Sequence, residues 1–226
     1  MCGRYALVEP VPEIARLFGF DPDAVATGGE GRQRYNIAPQ TPVLTVVAAD
    51  GGGRAGRWMR WGLTPPWSRP GEAAKLLINA RAETVATSPA FRAAFARRRC
   101  LLPATAFYEW GEPPDGSRRR QPFAFRDAAG RPLALAGIYQ GSDAPTLAIV
   151  TTGASGPVAR IHDRMPVLVA PADWDAWLDP DAGDGARDLC RPAPEDALVA
   201  YPVTARMNSA RYEAPDALEP LPAVGA

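Results

Sequence analysis

Apolar and polar positions change their spacing along this chain, and the changes mark its elements. Residues 2–8 alternate, as in a half-buried strand, with Cys2, Arg4 and Ala6 on one face and Gly3, Tyr5 and Leu7 on the other. In residues 11–18 the apolar positions Ile14, Leu17 and Phe18 fall at helical spacing, and Gly19 is placed to end the helix. Residues 21–34 are rich in glycine and charge and read as an exposed loop. Tyr35-Asn36-Ile37-Ala38-Pro39 leads into a β-branched run at 43–47, and Gly51-Gly52-Gly53 separates that run from residues 57–62, which predicts a hairpin. Thr64-Pro65-Pro66-Trp67 is a rigid aromatic loop on the surface. Residues 78–81 precede a helical stretch, and Ser88-Pro89 supplies an N-cap and first turn for a second helix that carries Phe91 and Phe95 on one side and closes on Arg97-Arg98-Arg99. Short strands come next at 100–102, 105–110, 123–126, 133–139, 147–151 and 167–170, then a helix at 173–178 and a last strand at 198–206.

The sequence shows no internal repeat and no clear linker. The pattern predicts one α+β, β-rich domain over residues 2–213, of mainly antiparallel sheets with a few short helices. The Pro- and Ala-rich residues 214–226 read as a loose tail.

Composition narrows the class. The chain has 226 residues, 46% hydrophobic and 22% charged, ordinary for a soluble globular protein with room for a sizeable core. No apolar run reaches the roughly 18 residues of a membrane span, and no basic-then-apolar leader opens the chain, so a cytosolic protein that associates with the nucleoid only when on DNA is expected. Cys2, Cys100 and Cys190 are odd in number and lack metal-type spacing, so the expectation is reduced thiols, no metal and no cofactor. Zero formal net charge hides an asymmetry: residues 1–164 carry 21 basic and 14 acidic side chains, residues 165–226 carry 4 and 11. A basic face can bind nucleic acid at zero net charge. All but one of the 25 basic residues are arginine, Lys75 being the exception. Arginine suits phosphates, but an Ala- and Arg-rich chain equally reflects codon bias, and three arginines at a helix end are accounted for by the helix dipole and solvation.

Candidate chemistry begins at the terminus. Removal of Met1 leaves Cys2 with an α-amine beside its thiol. An α-amine titrates near 8 against about 10.4 for lysine, so its free-base fraction at neutral pH is larger by about two orders of magnitude. Such an amine attacks an aldehyde to give a Schiff base, and the thiol can then close a five-membered thiazolidine. The alternative is a cysteine placed there by accident on a frayed terminus. His162 is the only histidine, so any imidazole acid or base must be this residue; it is otherwise a surface histidine. Glu109 interrupts the aromatic run Phe107-Tyr108-Glu109-Trp110, either as a partly buried proton shuttle or on an exposed strand face. Asn79 and Arg81 share a strand face and either present an amide and a guanidinium to one ligand or cap the helical stretch after them. Trp67 is either core or a platform for a base.

Met1-Cys2-Gly3-Arg4, Tyr35-Asn36-Ile37-Ala38-Pro39, Asn79-Ala80-Arg81-Ala82-Glu83-Thr84, Phe107-Tyr108-Glu109-Trp110 and Ile161-His162-Asp163-Arg164 occur in the order and spacing of the SOS-response-associated peptidase (SRAP) domains. The chain resembles that family from Cys2 to about Asn208. The resemblance implies a single β-rich domain that senses abasic sites in single-stranded DNA and crosslinks them to the terminal cysteine. It implies that Cys2 is the nucleophile, that Asn79 orients the sugar, and that Glu109 and His162 move protons. It also implies DNA contacts from Arg4, Asn36, Pro39, Trp67, Arg81 and Arg164, with no metal, no cofactor, no membrane and a monomer. Lyase-like and autoproteolytic side activities belong to the same expectation. Two other readings compete with it. One is a cysteine peptidase or self-processing hydrolase using Cys2 and His162; the other is a non-covalent single-strand binder that leaves Cys2, Glu109 and His162 without a role.

Overall fold

The computed structural model describes residues 2–25, 32–68, 76–112, 120–183 and 185–222. Its architecture is two antiparallel-rich sheets packed face to face with short helices at the margins. The first sheet runs in the order β12 (Leu198–Pro202), β8 (Gln121–Asp127), β7 (Ala106–Gly111), β1 (Tyr5–Leu7), β2 (Arg34–Ile37). In the second, β10 (Thr146–Gly153), β4 (Arg54–Trp61), β3 (Pro42–Ala48), β6 (Arg99–Ala104) and β9 (Leu133–Gln140) pair in turn, and β9 pairs back onto β10, closing a barrel. Two three-residue strands extend β10: β11 (Arg164–Pro166) antiparallel and β5 (Asn79–Arg81) parallel.

Period-2 alternation gives the first sheet two buried faces. Tyr5, Phe107 and Phe125 point into the main core with the barrel, whereas Ala6, Tyr108 and Ala124 point into a second, smaller core. That smaller core is closed by Val203, Met207 and Ala217, contributed by a chain that turns back over the sheet through 3₁₀ turns at Ala205–Asn208 and Pro215–Leu218. A face carrying Tyr108 could not stay bare, so the segment read as beginning a loose tail at Ala214 is packed: Ala217 is buried and the Tyr201 hydroxyl donates to the Leu218 carbonyl at 3.0 Å. The last strand correspondingly stops at Pro202 rather than Arg206.

Several elements form as the pattern predicts. Helix α1 is Val11–Phe18, with Gly19 in the left-handed region at φ 74°, where a side chain would be strained. Its buried face is Ile14, Ala15 and Phe18; Leu17 is exposed. The hairpin pairs Pro42 with Arg60 through Ala48 with Arg54 around the glycine turn. Other predictions shift. Residues 82–87 make turns, and α2 is Arg92–Arg97, starting after Phe91, because Ser88 bonds through its carbonyl to the Phe91 and Arg92 N–H groups rather than capping with its side chain. The strand expected at 167–170 lies at 164–166, where β10 offers its edge, leaving a single bridge between Leu168 and Leu135. Lys75 and part of the 21–34 loop lie outside the described residues.

The largest departure is Arg99. It opens β6 and is 2% exposed, so solvation does not account for it. Its Nε donates to the Trp177 carbonyl at 2.7 Å, and its terminal nitrogens donate to the carbonyls of Phe95, Ala96 and Asp179. Two of those carbonyls belong to α2, so the dipole argument holds inside the core, and the same guanidinium ties α2 to α4 (Trp174–Leu178). Arg99→Leu keeps bulk but orphans these carbonyls. At about 1–3 kcal/mol for each buried unsatisfied group, we expect a loss of at least about 3 kcal/mol in urea unfolding; a loss under about 1 kcal/mol would show that these bonds are dispensable.

Candidate active site

β1 and β7 lie side by side, with Tyr5 opposite Phe107, so the terminus and Glu109 arrive at the same end of the sheet. Cys2 is fully buried. It does not share the side of Arg4 as strict alternation predicts: the regular strand begins only at Tyr5, and Cys2 turns into the main core with Tyr5 and Leu7. Asn79, fixed on β5 opposite Ile149, reaches across and donates from Nδ2 to the Cys2 carbonyl at 3.0 Å. Its Oδ1 is buried and accepts no hydrogen bond among the described residues. Burial drives the Cys2 thiol far above its ordinary range, and the charge of Glu109 adds to that rise.

A cleft of about 1040 Å³ opens beside this terminus. Glu109, His162, Gly3, Arg4, Pro39 and Ile78 line it, with Trp110, Arg120, Ala205, Arg206, Asn208 and Ser209 forming the remaining wall. Glu109 faces the main core side of β7 and is only 3% exposed, which removes the exposed-strand alternative. Burial pushes its carboxyl up to about 7, and Asp163 acts in the same direction. His162 stands on the turn after α3 (Gly156–Ala159), its N–H bonded to the Val158 carbonyl at 2.9 Å. Its Nδ1 accepts the Arg164 N–H at 2.9 Å, which leaves the proton of the neutral ring on Nε2. Burial lowers its pKa below the usual value, against Asp163, whose carboxylate is 2.9 Å from Nδ1 and favours the charged ring. The two groups are thereby shifted in opposite directions, toward their uncharged forms near neutrality.

Arg4 crosses the cleft wall. Its guanidinium donates to Asn36 Oδ1 at 3.0 Å and to the Met207 carbonyl at 3.4 Å, and lies 5.6 Å from the centre of the Trp110 ring. Trp110 in turn donates from Nε1 to Asn208 Oδ1 at 2.9 Å.

The other residues singled out in the sequence are placed differently. Asn36 is 2% exposed, and its amide is consumed by Arg4 and by the carbonyls of Ser209 and Tyr212, so it supports the wall from behind. Arg164 makes two bonds to Glu83, at 2.6 and 2.9 Å, and one to the Thr151 carbonyl at 2.7 Å, outside the cleft lining. Arg81 is exposed on β5, and Trp67 is 62% exposed on its loop; neither lines the cleft. Arg120, Arg206, Asn208 and Ser209 were not singled out. They come from segments distant in sequence, and no local periodicity marks them.

Residues 1–210 match the SOS response associated peptidase (SRAP) family. The chain belongs to that family. It is 33% identical over 227 residues to the abasic site processing protein YoqW of Bacillus subtilis, covering 97% of this chain and 99% of that one. It is 29% identical over 240 residues to the abasic site processing protein YedK of Escherichia coli, covering 98% and 100%, and 30% identical over 230 residues to the abasic site processing protein HMCES of Gallus gallus, covering 85% and 68%. Among solved structures, a protein from Bacteroides thetaiotaomicron superposes with a TM-score of 0.82 at 20% identity over 97% of this chain and all of that one. One from Bordetella bronchiseptica gives 0.73 at 26% identity over 90% of this chain and all of that one. Both share the SRAP fold described above. Among the described residues no helix is long and apolar enough to cross a membrane, and no three metal-binding side chains cluster.

The raised Glu109 carboxyl gives this SRAP domain a testable pH signature. A carboxyl whose folded pKa lies above its unfolded one contributes stability below the unfolded value and loses it as pH rises through the folded one. Glu109→Gln removes that titration. Its stability relative to the native chain is therefore expected to rise between pH 4.5 and about 7 and to level off above. Thermal midpoints of the two proteins that differ by the same amount at every pH would contradict the burial argument.

Proposed function

We propose that this chain processes abasic sites in single-stranded DNA by joining the lesion covalently to Cys2. The observation that carries the reading is that two proton-transfer groups, Glu109 and His162, whose affinities are shifted in opposite directions, line one arginine-bearing cleft together with Gly3, the residue next to the buried Cys2. Relatives named as abasic site processing proteins, aligned over nearly the whole chain, support the same lesion.

Removal of Met1 frees the Cys2 α-amine. An abasic sugar opens to an aldehyde, the amine adds to its carbonyl carbon, and a proton delivered to the oxygen lets it leave as water, giving an imine. The thiol then adds to the imine carbon while its proton passes to nitrogen, closing the thiazolidine. Glu109, partly protonated at neutral pH, and His162 with its Nε2 proton supply and accept these protons. Asn79 holds the Cys2 carbonyl, and its buried Oδ1, without a partner among the described residues, is available to a sugar hydroxyl. Arg4, Arg120 and Arg206 meet the phosphates of the strand. The amine acts before the thiol, because burial opposes thiolate formation. A peptidase needs the reverse, a thiolate ready at neutral pH.

Incubation with an oligonucleotide containing one abasic site is expected to give an adduct that survives heat and denaturant, while the undamaged oligonucleotide gives none; no adduct would sink the reading. Residues fused ahead of Cys2 keep the thiol but turn the amine into an amide, and should abolish the adduct. Cys2→Ser keeps an amine and should yield only an imine that borohydride traps. Crosslinking by the N-terminally extended protein at the native rate would replace the amine-first sequence with a thiol-only reaction.

Glu109→Gln and His162→Ala act on protons and not on attachment. Each is expected to slow adduct formation or its reversal by about 10²-fold, the usual effect of losing a general acid or base. Single-turnover rates in both directions that match the native protein would remove these two residues from the mechanism.

A further inference from the structure

The family match ends at residue 210, yet the chain keeps packing beyond it. β2 is the outer strand of the first sheet, and an outer strand leaves backbone N–H groups without a strand partner. Glu213 fills that place. Its Oε1 accepts the N–H groups of Tyr35 and of Asn36, the latter at 3.1 Å, and its Oε2 lies 3.5 Å from Arg34 Nε. One carboxylate thus accepts two backbone N–H groups and pairs with the charge of Arg34, on three successive residues of β2.

These bonds fix more than an edge. The Asn36 side chain donates to the carbonyls of Ser209 and Tyr212 and accepts from Arg4, so the segment that Glu213 docks is the one that holds Arg4 in place. The same segment carries Arg206, Asn208 and Ser209 into the cleft wall, and Asn208 in turn receives the Trp110 N–H. Glu213 itself is absent from the cleft lining.

We infer that Glu213 is a positioning residue for the DNA cleft: by clamping the C-terminal segment to β2 it fixes Arg4, Arg206 and Asn208, and so sets how tightly the strand is held without entering the chemical step. The inference rests on the abasic-site reading above for its substrate. Arg4 and Arg206 are long side chains whose free rotamers would be quenched at each binding event if nothing fixed them beforehand. The clamp makes that ordering part of folding.

Two measurements on the full chain test it, comparing the native protein with Glu213→Ala and Glu213→Gln. The first is amide hydrogen exchange across residues 204–218, which needs no substrate. Glu213→Ala should exchange faster there while the barrel strands keep native protection, and Glu213→Gln, which retains an acceptor oxygen for the β2 amides, should fall between. The second is crosslinking to an abasic oligonucleotide across a range of its concentration. Loss of the clamp should raise the half-saturating concentration about tenfold, the equivalent of one or two hydrogen bonds, while the plateau rate stays within about twofold of native. Unchanged exchange in Glu213→Ala would overturn the clamp. Faster exchange with an unchanged half-saturating concentration, or an effect on the plateau rate alone, would overturn the positioning role. Should the native protein form no adduct, the abasic-site reading fails, while the exchange result still decides whether the clamp exists.

Discussion

A chain terminus is the least ordered part of most proteins, and a site built on one depends on holding it still. Here the hold is Tyr5. Its ring is fully buried and tilts against Trp61 of the barrel at 5.6 Å between centres, while its backbone pairs with Phe107 on one side and Ile37 on the other. Residues 2–4 would fray if only hydrogen bonds held them, because each ordered residue costs about 1–2 kcal/mol of chain entropy. A buried aromatic side chain between two paired neighbours offsets that cost locally, and Asn79 adds a restraint at the Cys2 carbonyl. The rest of the site is referenced to this anchor, since β7 carries Glu109 alongside β1, while β10 holds β5 with Asn79 and, through β11, the His162 turn.

The burial that anchors the terminus also shapes its reactivity. The first sheet faces protein on both sides, so a carboxyl at Glu109 is desolvated by the same packing that buries Phe107 and Phe125 beside it. Those two rings stack with centres 5.0 Å apart on the same side of the sheet. A carboxyl so placed rests near half protonation at neutral pH and can both give and take a proton. His162 is displaced the other way, burial favouring its uncharged ring. A carboxyl balanced between its two forms changes charge at little cost near neutral pH, whereas a buried group held far from its pKa would meet the full desolvation penalty each time it changed charge.

How much of the structure was legible in the sequence depends on range. α1 with its Gly19 terminus and the glycine hairpin are set by neighbours within a few residues, and each formed where the pattern put it, whereas alternation grouped Glu109 with Phe107 but left open whether that face is buried. Cys2, Glu109, His162 and Asn79 stood out as candidates by residue type, each beside a plain structural alternative, and the run of matching motifs singled them out. The burial of Arg99 was not, because a run of three arginines carries no mark of which one meets the carbonyls of α2 and α4. Neither was the service of Asn36 to Arg4, nor the diversion of Arg164 to Glu83; both depend on partners tens of residues away. Cys2 departed from simple alternation because the two residues after it lie outside the ladder that enforces a period of two. The packed turn at Pro215–Leu218 was hidden for a further reason: its Pro- and Ala-rich composition resembles that of an unfolded segment, and only the bare face of Tyr108 gives it a place to bind.

The charge asymmetry of the chain also changes meaning once folded. The C-terminal third is acidic by count, yet it brings Arg206 to the cleft while Glu213 turns away to Arg34. Asp216, the partner of Tyr212, lies 3.9 Å from Arg206 and takes no part in the cleft lining. Arg4 and Arg120 enter the same cleft from the basic part of the sequence. An imbalance written along the chain therefore becomes an imbalance across one wall, with guanidinium groups at the cleft and these carboxylates behind it. Within a concave site of low dielectric the near charges dominate the field, since those behind are separated by protein and screened by salt over roughly 10 Å. A chain with zero formal net charge can in this way present a cationic surface to a polyanion, and the acidic segment contributes to that surface by holding the arginines in place.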